Sequence, residues 1–244
     1  MELKLVKKDF TDNFLNVVGK AVDIVSVKAN NKGLYVVCNK PDSSIIILGK
    51  YNYSLDIPEE LSLNIGDVKK LLRVLDCIEE ETVQFKINSN HLFYKSDKIQ
   101  FKYHFLDDSI VPKVTFKKEK IESLKNDTFF DIDSKKLQEI LKASSFTTDT
   151  NKIYIYGQPD GVYCELGDKE KSNTDSISMK MADSIEGAPL NQVIPFNLDI
   201  IRLFSGLKFE KARVGINNTY KIMSLYIKPT ESTEFTFVIS GLVK

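Results

Sequence analysis

The chain has no tryptophan, only two histidines and only three cysteines in 244 residues. His91 and His104 fall on neighbouring predicted strands at alternating positions, and both read as ordinary strand residues. Cys38, Cys77 and Cys164 are odd in number, widely spaced and set in apolar segments. That excludes a disulfide framework and reads as reduced thiols of a cytosolic protein. Net charge is absent too: 34 Lys+Arg balance 34 Asp+Glu. Such a balance excludes a grip on nucleic acid by bulk charge, and it excludes an acidic tail; it leaves the distribution of charge over the surface open. No run of about 18 apolar residues occurs, and "MELKLVKKDF" has no apolar run of the signal-peptide kind. The expectation is a chain with no membrane partner, located in the cytoplasm. Nucleotide-binding signatures of the G-x-x-x-x-G-K-[ST] and G-x-G-x-x-G types are missing, as is any Cys/His metal spacing. The acidic pair Asp107–Asp108 lies in a predicted turn. No enzyme, no cofactor and no metal are expected.

What is present is mostly period-two alternation. "ETVQFKIN", "HLFYKSD" and "KIQFKYHFL" read as three consecutive strands, and "KARVGIN", "KIMSLYIKP" and "EFTFVISGLV" as three more. Helical periodicity is confined to residues 9–22, 66–78, 134–146 and 197–207. The chain is also written twice. "LKLVKKDF" over "FDIDSKKL" sets Lys8 on Lys135, at an offset of 127. "IVSVKANNKGLYVVC" over "KIYIYGQPDGVYCEL" sets Gly33 on Gly161 and Tyr35 on Tyr163, at an offset of 128. "LLRVL" over "IIRLF" sets Arg73 on Arg202, at an offset of 129. "NKG" and "PDG" are turns in which glycine supplies a positive φ. An ordered series of this length predicts two copies of one domain. The fold class is α+β, a tandem repeat in which two helices pack on antiparallel sheet in each half. The domains are expected at 1–108 and 127–244, with residues 109–126 as connector.

Each helix pairs an apolar stripe with a basic or neutral-polar face. Val68, Leu71, Leu72 and Leu75 oppose Lys69 and Arg73. Leu137, Ile140, Leu141 and Ser144 oppose Lys135, Gln138 and Lys142, with Asp133 or Ser134 as N-cap. Leu198, Ile201 and Phe204 oppose Arg202 and Ser205, while Phe10, Phe14, Val17 and Ala21 oppose Asn13, Asn16 and Lys20. Cations therefore recur on matching elements of both halves, aimed away from the core.

A tandem pair of such domains joined by a long connector resembles a DNA sliding clamp, the polymerase processivity factor. The likeness is to the T-even bacteriophage type and, more distantly, to proliferating cell nuclear antigen. "FFDIDSKKLQEILKASSFTTDTNKIYIYGQPDGVYCELG" carries it best. The resemblance implies a homotrimeric ring of six domains that encircles duplex DNA without sequence preference and tethers the replicative DNA polymerase. A clamp loader ATPase opens such a ring, and in the phage type late transcription uses it too. It implies contacts to phosphate from Lys8, Lys20, Lys69, Lys70, Arg73, Lys135, Lys142, Arg202 and Lys208. Acids such as Glu79–Glu81 are expected on the outer rim. Interface strands are expected within 83–106 of one copy and 172–183 of the next. It also implies an outer pocket for partner peptides, gathered here from Ile45, Ile47, Ile110, Val111, Pro112, Pro229, Leu242 and Val243. The neutral net charge departs from the acidic balance of many clamps. The alternative reading is a non-ring processivity or late-transcription factor of the same fold that binds DNA directly.

Overall fold

The computed structural model describes every residue except Met1, Asp56, Pro58, Ser89, Thr115, Thr148, Asp149, Glu170, Ser172, Ser205, Lys208, Val243 and Lys244; the side chain of Ile200 is also outside the description. The chain forms two compact units. Residues 1–40, 47–120 and 230–235 make the first, and residues 41–46, 121–229 and 236–244 the second. The chain passes from one to the other at residues 120 and 121, inside the segment expected to be the connector.

The first unit holds strands β1 (Glu2–Val6), β2 (Val25–Asn30), β3 (Gly33–Asn39), β4 (Ile45–Asn52, from Ile47 on), β5 (Leu61–Ile65), β6 (Thr82–Ile87), β7 (His91–Lys95) and β8 (Gln100–His104). One sheet runs β1-β6-β7-β8, and the second group runs β4-β3-β2-β5. The burial of β1, β2 and β6 alternates residue by residue, as the period-two pattern requires. The helical segment expected at 9–22 is π-helical over Asp9–Leu15 and continues as α1 (Asn16–Gly19). Phe10, Thr11, Phe14 and Leu15 of the segment are buried, with Phe10 stacked on Phe14 at 6.3 Å. Phe10 lies 6.5 Å from Phe85 of β6 and 6.5 Å from Tyr51 of β4, ring centre to ring centre. One helix thereby seals both sheets. Emptying that contact by Phe85→Ala would cost about 3–5 kcal/mol.

Helix α2 (Val68–Asp76) begins where the Asp67 carboxylate accepts the Lys70 N–H at 2.7 Å. It buries Val68, Leu71 and Leu75. Gly19 lets it approach α1, because a Cβ there would stand 2.9 Å from Val68 Cγ1. The connector carries a short helix, α3 (Lys118–Glu122), that the sequence pattern did not announce. Ile121 is its one buried residue, so no apolar period exists to read.

The second unit holds β9 (Thr128–Asp133), α4 (Ser134–Ala143), β10 (Lys152–Gln158), β11 (Gly161–Leu166), β12 (Ile177–Ala182), β13 (Glu186–Gly187), β14 (Ile194–Asn197), α5 (Asp199–Leu203), β15 (Lys211–Asn217), β16 (Ile222–Ile227) and the end of β17 (Thr233–Ser240). Its strand orders are β13-β9-β15-β16-β17 and β12-β11-β10-β14. Asp133, one of the two expected caps, accepts the Lys136 N–H at 2.6 Å. The core gathers Leu137 and Ile140 of α4, Ile201 of α5 and Phe204 just after it. Phe204 stands edge-on to Phe237 at 4.8 Å.

The two units repeat each other pair by pair. Val27 faces Val36 and Tyr35 faces Lys28, while Ile155 faces Cys164 and Tyr163 faces Tyr156. Leu3 faces Phe85 as Phe130 faces Val214. The hairpin glycines match as well: Gly33 has φ 129° and Gly161 φ 146°. A Cβ on Gly33 would stand 2.0 Å from the Tyr51 carbonyl oxygen, and one on Gly161 2.1 Å from that of Ala182.

Gly33→Ala and Gly161→Ala should therefore each destabilise by at least about 1–3 kcal/mol. At roughly 2–4 °C per kcal/mol for a chain of this size, thermal unfolding reads the loss directly. The thiols give a second check. Burial pushes Cys38 and Cys164 up to about 12, whereas Cys77, at the end of α2, is exposed. A chromogenic disulfide reagent at pH 8 should titrate one thiol in the native chain and three after denaturation.

Candidate nucleic-acid interface

In the first unit α2 packs beside the N-terminal helical segment, and in the second α5 packs beside α4. Lys8, Lys20, Lys69, Lys70, Arg73, Lys135, Lys142 and Arg202 are all exposed on or beside these helices. Lys208 lies outside the described residues. Each unit thus offers a helix pair whose inner side is apolar and whose outer side carries cations. The cations are not equally available. Among the described residues Lys8, Lys70, Arg73, Lys135 and Lys142 make no ion pair. Lys69 meets Asp23 at 2.9 Å, both well exposed, a contact worth at most about 1 kcal/mol. Partial desolvation lowers the Lys20 ammonium from its ordinary value.

The duplicated arginines differ in their surroundings. Arg202 is drawn to Asp199 at 2.6 Å, one turn earlier on α5, and reaches Asn151 Oδ1 at 3.4 Å. Asn151 in turn donates to Asn197 and Asp199. In the first repeat, Lys70 holds the position of Asp199 in the alignment of "LLRVL" with "IIRLF". α2 therefore presents Lys70 and Arg73 without an ion pair, while α5 presents a neutralised pair. The i,i+3 spacing of "DIIR" was the available signal.

Lys8 also sits in a field the sequence did not announce. It borders a groove of about 500 Å³ together with Lys7, Asp12, Asp76 and Glu79–Glu81. The glutamates expected on an outer rim line this groove. The cause is local: the chain leaving α2 turns back along β1, where the Lys7 N–H meets the Glu81 carbonyl at 2.8 Å. The corresponding groove of the second unit, about 530 Å³, holds Lys135, Gln138, Leu207, Phe209, Glu210 and Pro229. One cationic repeat position thus faces a strongly acidic groove and the other a mixed one whose acid is Glu210.

The residues assigned to a peptide pocket divide. Ile45 and Ile47 are 1% and 0% exposed, core residues of β4 that offer nothing to a partner. β4 is buried over most of its length, so its isoleucines follow the core and not the surface. Pro229 lies in the groove with Lys135, on the helical side. Ile110 is 60% exposed, Pro112 exposed and Val111 half-buried, all in the first unit. Leu242, in the second unit, is half-buried and its N–H donates to the Pro195 carbonyl at 2.8 Å. Val243 lies outside the described residues.

No helix among the described residues is long and apolar enough to cross a membrane. No family model matches the chain, and no curated protein matches it. Among solved structures it is similar to the C-terminal region of FEN-1 bound to A. fulgidus PCNA, with a TM-score of 0.77 and 13% identity. That match covers 100% of this chain and 98% of the other. At such low identity over the whole length the likeness is one of fold: mixed α+β with few helices, the chain has a PCNA-like clamp fold.

Proposed function

We propose that the protein is a sliding clamp: a homotrimer that encircles duplex DNA and tethers a replicative DNA polymerase after a loader ATPase has opened it. The observation that carries this reading is a pair of unmatched sheet edges. β8 ends the sheet β1-β6-β7-β8, and β12 ends the sheet β12-β11-β10-β14. In the repeat, β8 corresponds to β17 and β12 to β4. β17 and β4 are hydrogen-bonded neighbours, as in the Ser240 N–H to Ser44 carbonyl bond at 3.2 Å. The same junction formed between β8 of one copy and β12 of the next gives both edges a partner. Repeated through three copies, it gives every β8 a β12 to pair with.

The helical faces fit the same reading. Unpaired cations on α2 and α4, diluted by Asp199 and by the acids beside Lys8, supply weak contacts to phosphate that do not depend on sequence. A ring held by topology requires no more than that. Exposed Ile110 and Pro112, with half-buried Val111 between them, are the part of the expected peptide pocket open to a polymerase or loader.

In solution the chain should sediment at about three times its 27.8 kDa. Proline at Lys102 of β8 should return it to one, because an edge strand with a proline loses a donor to the neighbouring copy. A monomer at micromolar concentration in the unaltered protein would count against the ring. Changing Lys69, Arg73, Lys135 and Arg202 together to glutamate should reduce processive synthesis at least tenfold with the trimer mass and thermal unfolding retained. Unaltered processivity would remove the helical faces from the DNA path.

A further inference from the structure

The chain's two histidines stand directly opposite each other. His91 of β7 is the register partner of His104 of β8, and their ring centres lie 5.8 Å apart. The Phe105 N–H donates to the Asn90 carbonyl at 2.9 Å. In an antiparallel ladder a bond between the residues flanking a pair marks that pair as non-hydrogen-bonded, the kind whose side chains approach most closely. Both rings are on the accessible face, His104 exposed and His91 half-buried.

Two side chains from the adjoining turn fix the His91 ring. Asn88 Oδ1 accepts the backbone N–H groups of Asn90 and His91, at 3.1 and 2.9 Å. Its Nδ2 is therefore the atom that points to His91 Nε2, 3.3 Å away, and Nε2 must accept. Asn90 Oδ1 lies 3.2 Å from Nδ1 on the other side of the ring and can only accept, so Nδ1 carries the proton. The Nε2 lone pair faces the Asn88 amide, which an incoming ion would displace, and the ring is held neutral with Nδ1–H bonded to a carbonyl oxygen. That is the outer-shell arrangement of metal-ligating histidines.

We propose that His91 and His104 form a site for one divalent transition-metal ion of the zinc, nickel or copper class. With metal–nitrogen bonds of about 2.0–2.1 Å, two imidazoles on one tetrahedral ion have their ring centres roughly 5–6 Å apart, so the spacing of the pair suits one ion. No cluster of three or more metal-ligating side chains occurs among the described residues. The protein thus supplies two ligands, and water takes the remaining positions. Lys102, two residues from His104 on the same strand face, is the cation that opposes binding; it lowers the pKa of His91, as do desolvation, first, and His104. Its exposure to solvent screens that repulsion. The bound ion would staple the end strand β8 to β7. The site lies within the first unit and does not depend on the clamp reading.

The test is calorimetric titration of the full, tag-free chain with Zn²⁺, with Mg²⁺ as a control. One equivalent of Zn²⁺ and no heat from Mg²⁺ are expected. His91→Asn and His104→Asn should each weaken Zn²⁺ binding at least tenfold, with unfolding temperature and single-thiol labelling unaltered. Hydrogen exchange of the β8 amides should slow with Zn²⁺ in the native chain and in neither variant. Absence of Zn²⁺ binding at about 100 micromolar would overturn the proposal. So would Zn²⁺ affinity that both variants retain.

Discussion

A sheet that stops in solution leaves a row of backbone N–H and C=O groups without strand partners, and that constraint organises this molecule. The chain repeats one unit twice, so each edge has a counterpart elsewhere in the same sequence. β17 and β4 are paired. Their counterparts β8 and β12 terminate sheets, with no proline in either strand and mostly polar residues on β8 to blunt it. Under the proposed function, β8 and β12 of neighbouring copies make the junction that β17 and β4 already make. The proposed ring, its hole and its helical lining all follow from that junction.

Electrostatics then sets how such a ring would hold a polyanion. The net charge is zero, and the sorting of charge is partial. α2 carries Lys69, Lys70 and Arg73, whereas α5 spends its arginine on Asp199, and Lys8 shares its groove with five carboxylates. A protein that bound DNA by affinity would be expected to leave these cations unopposed, because each phosphate contact adds to a salt-dependent grip. Opposed cations are compatible with a protein whose retention is geometric. The asymmetry also implies that the two repeats would not contribute equally along the DNA path, with α2 and α4 the stronger faces.

Strands were legible because alternation and turn glycine are local signals. "KARVGIN" predicts β15 residue for residue, and Gly33 and Gly161 occupy matching positive-φ turns. The apolar stripes of α2 and α4 were legible for the same reason, down to the Asp133 cap. What escaped the sequence depends on distant parts of the chain. The Glu79–Glu81 run falls beside Lys8 only because the chain doubles back along β1. Ile45 and Ile47 resemble surface residues next to a turn, yet β4 is buried on both faces. The π-helical form of Asp9–Leu15 is likewise encoded by no periodicity within the segment. The histidines could be placed on neighbouring strands, but their register and ring orientation required the ladder itself.

The central claim, retention by enclosure, can be tested on DNA of two topologies. The protein is loaded with its cognate loader onto nicked circular duplex, washed at high salt, and followed as the circle is cut once by a restriction enzyme. The account predicts that the protein stays on the washed circle and leaves within the time of linearisation. Loss from the intact circle at high salt, or equal retention on circle and linear duplex, would contradict it.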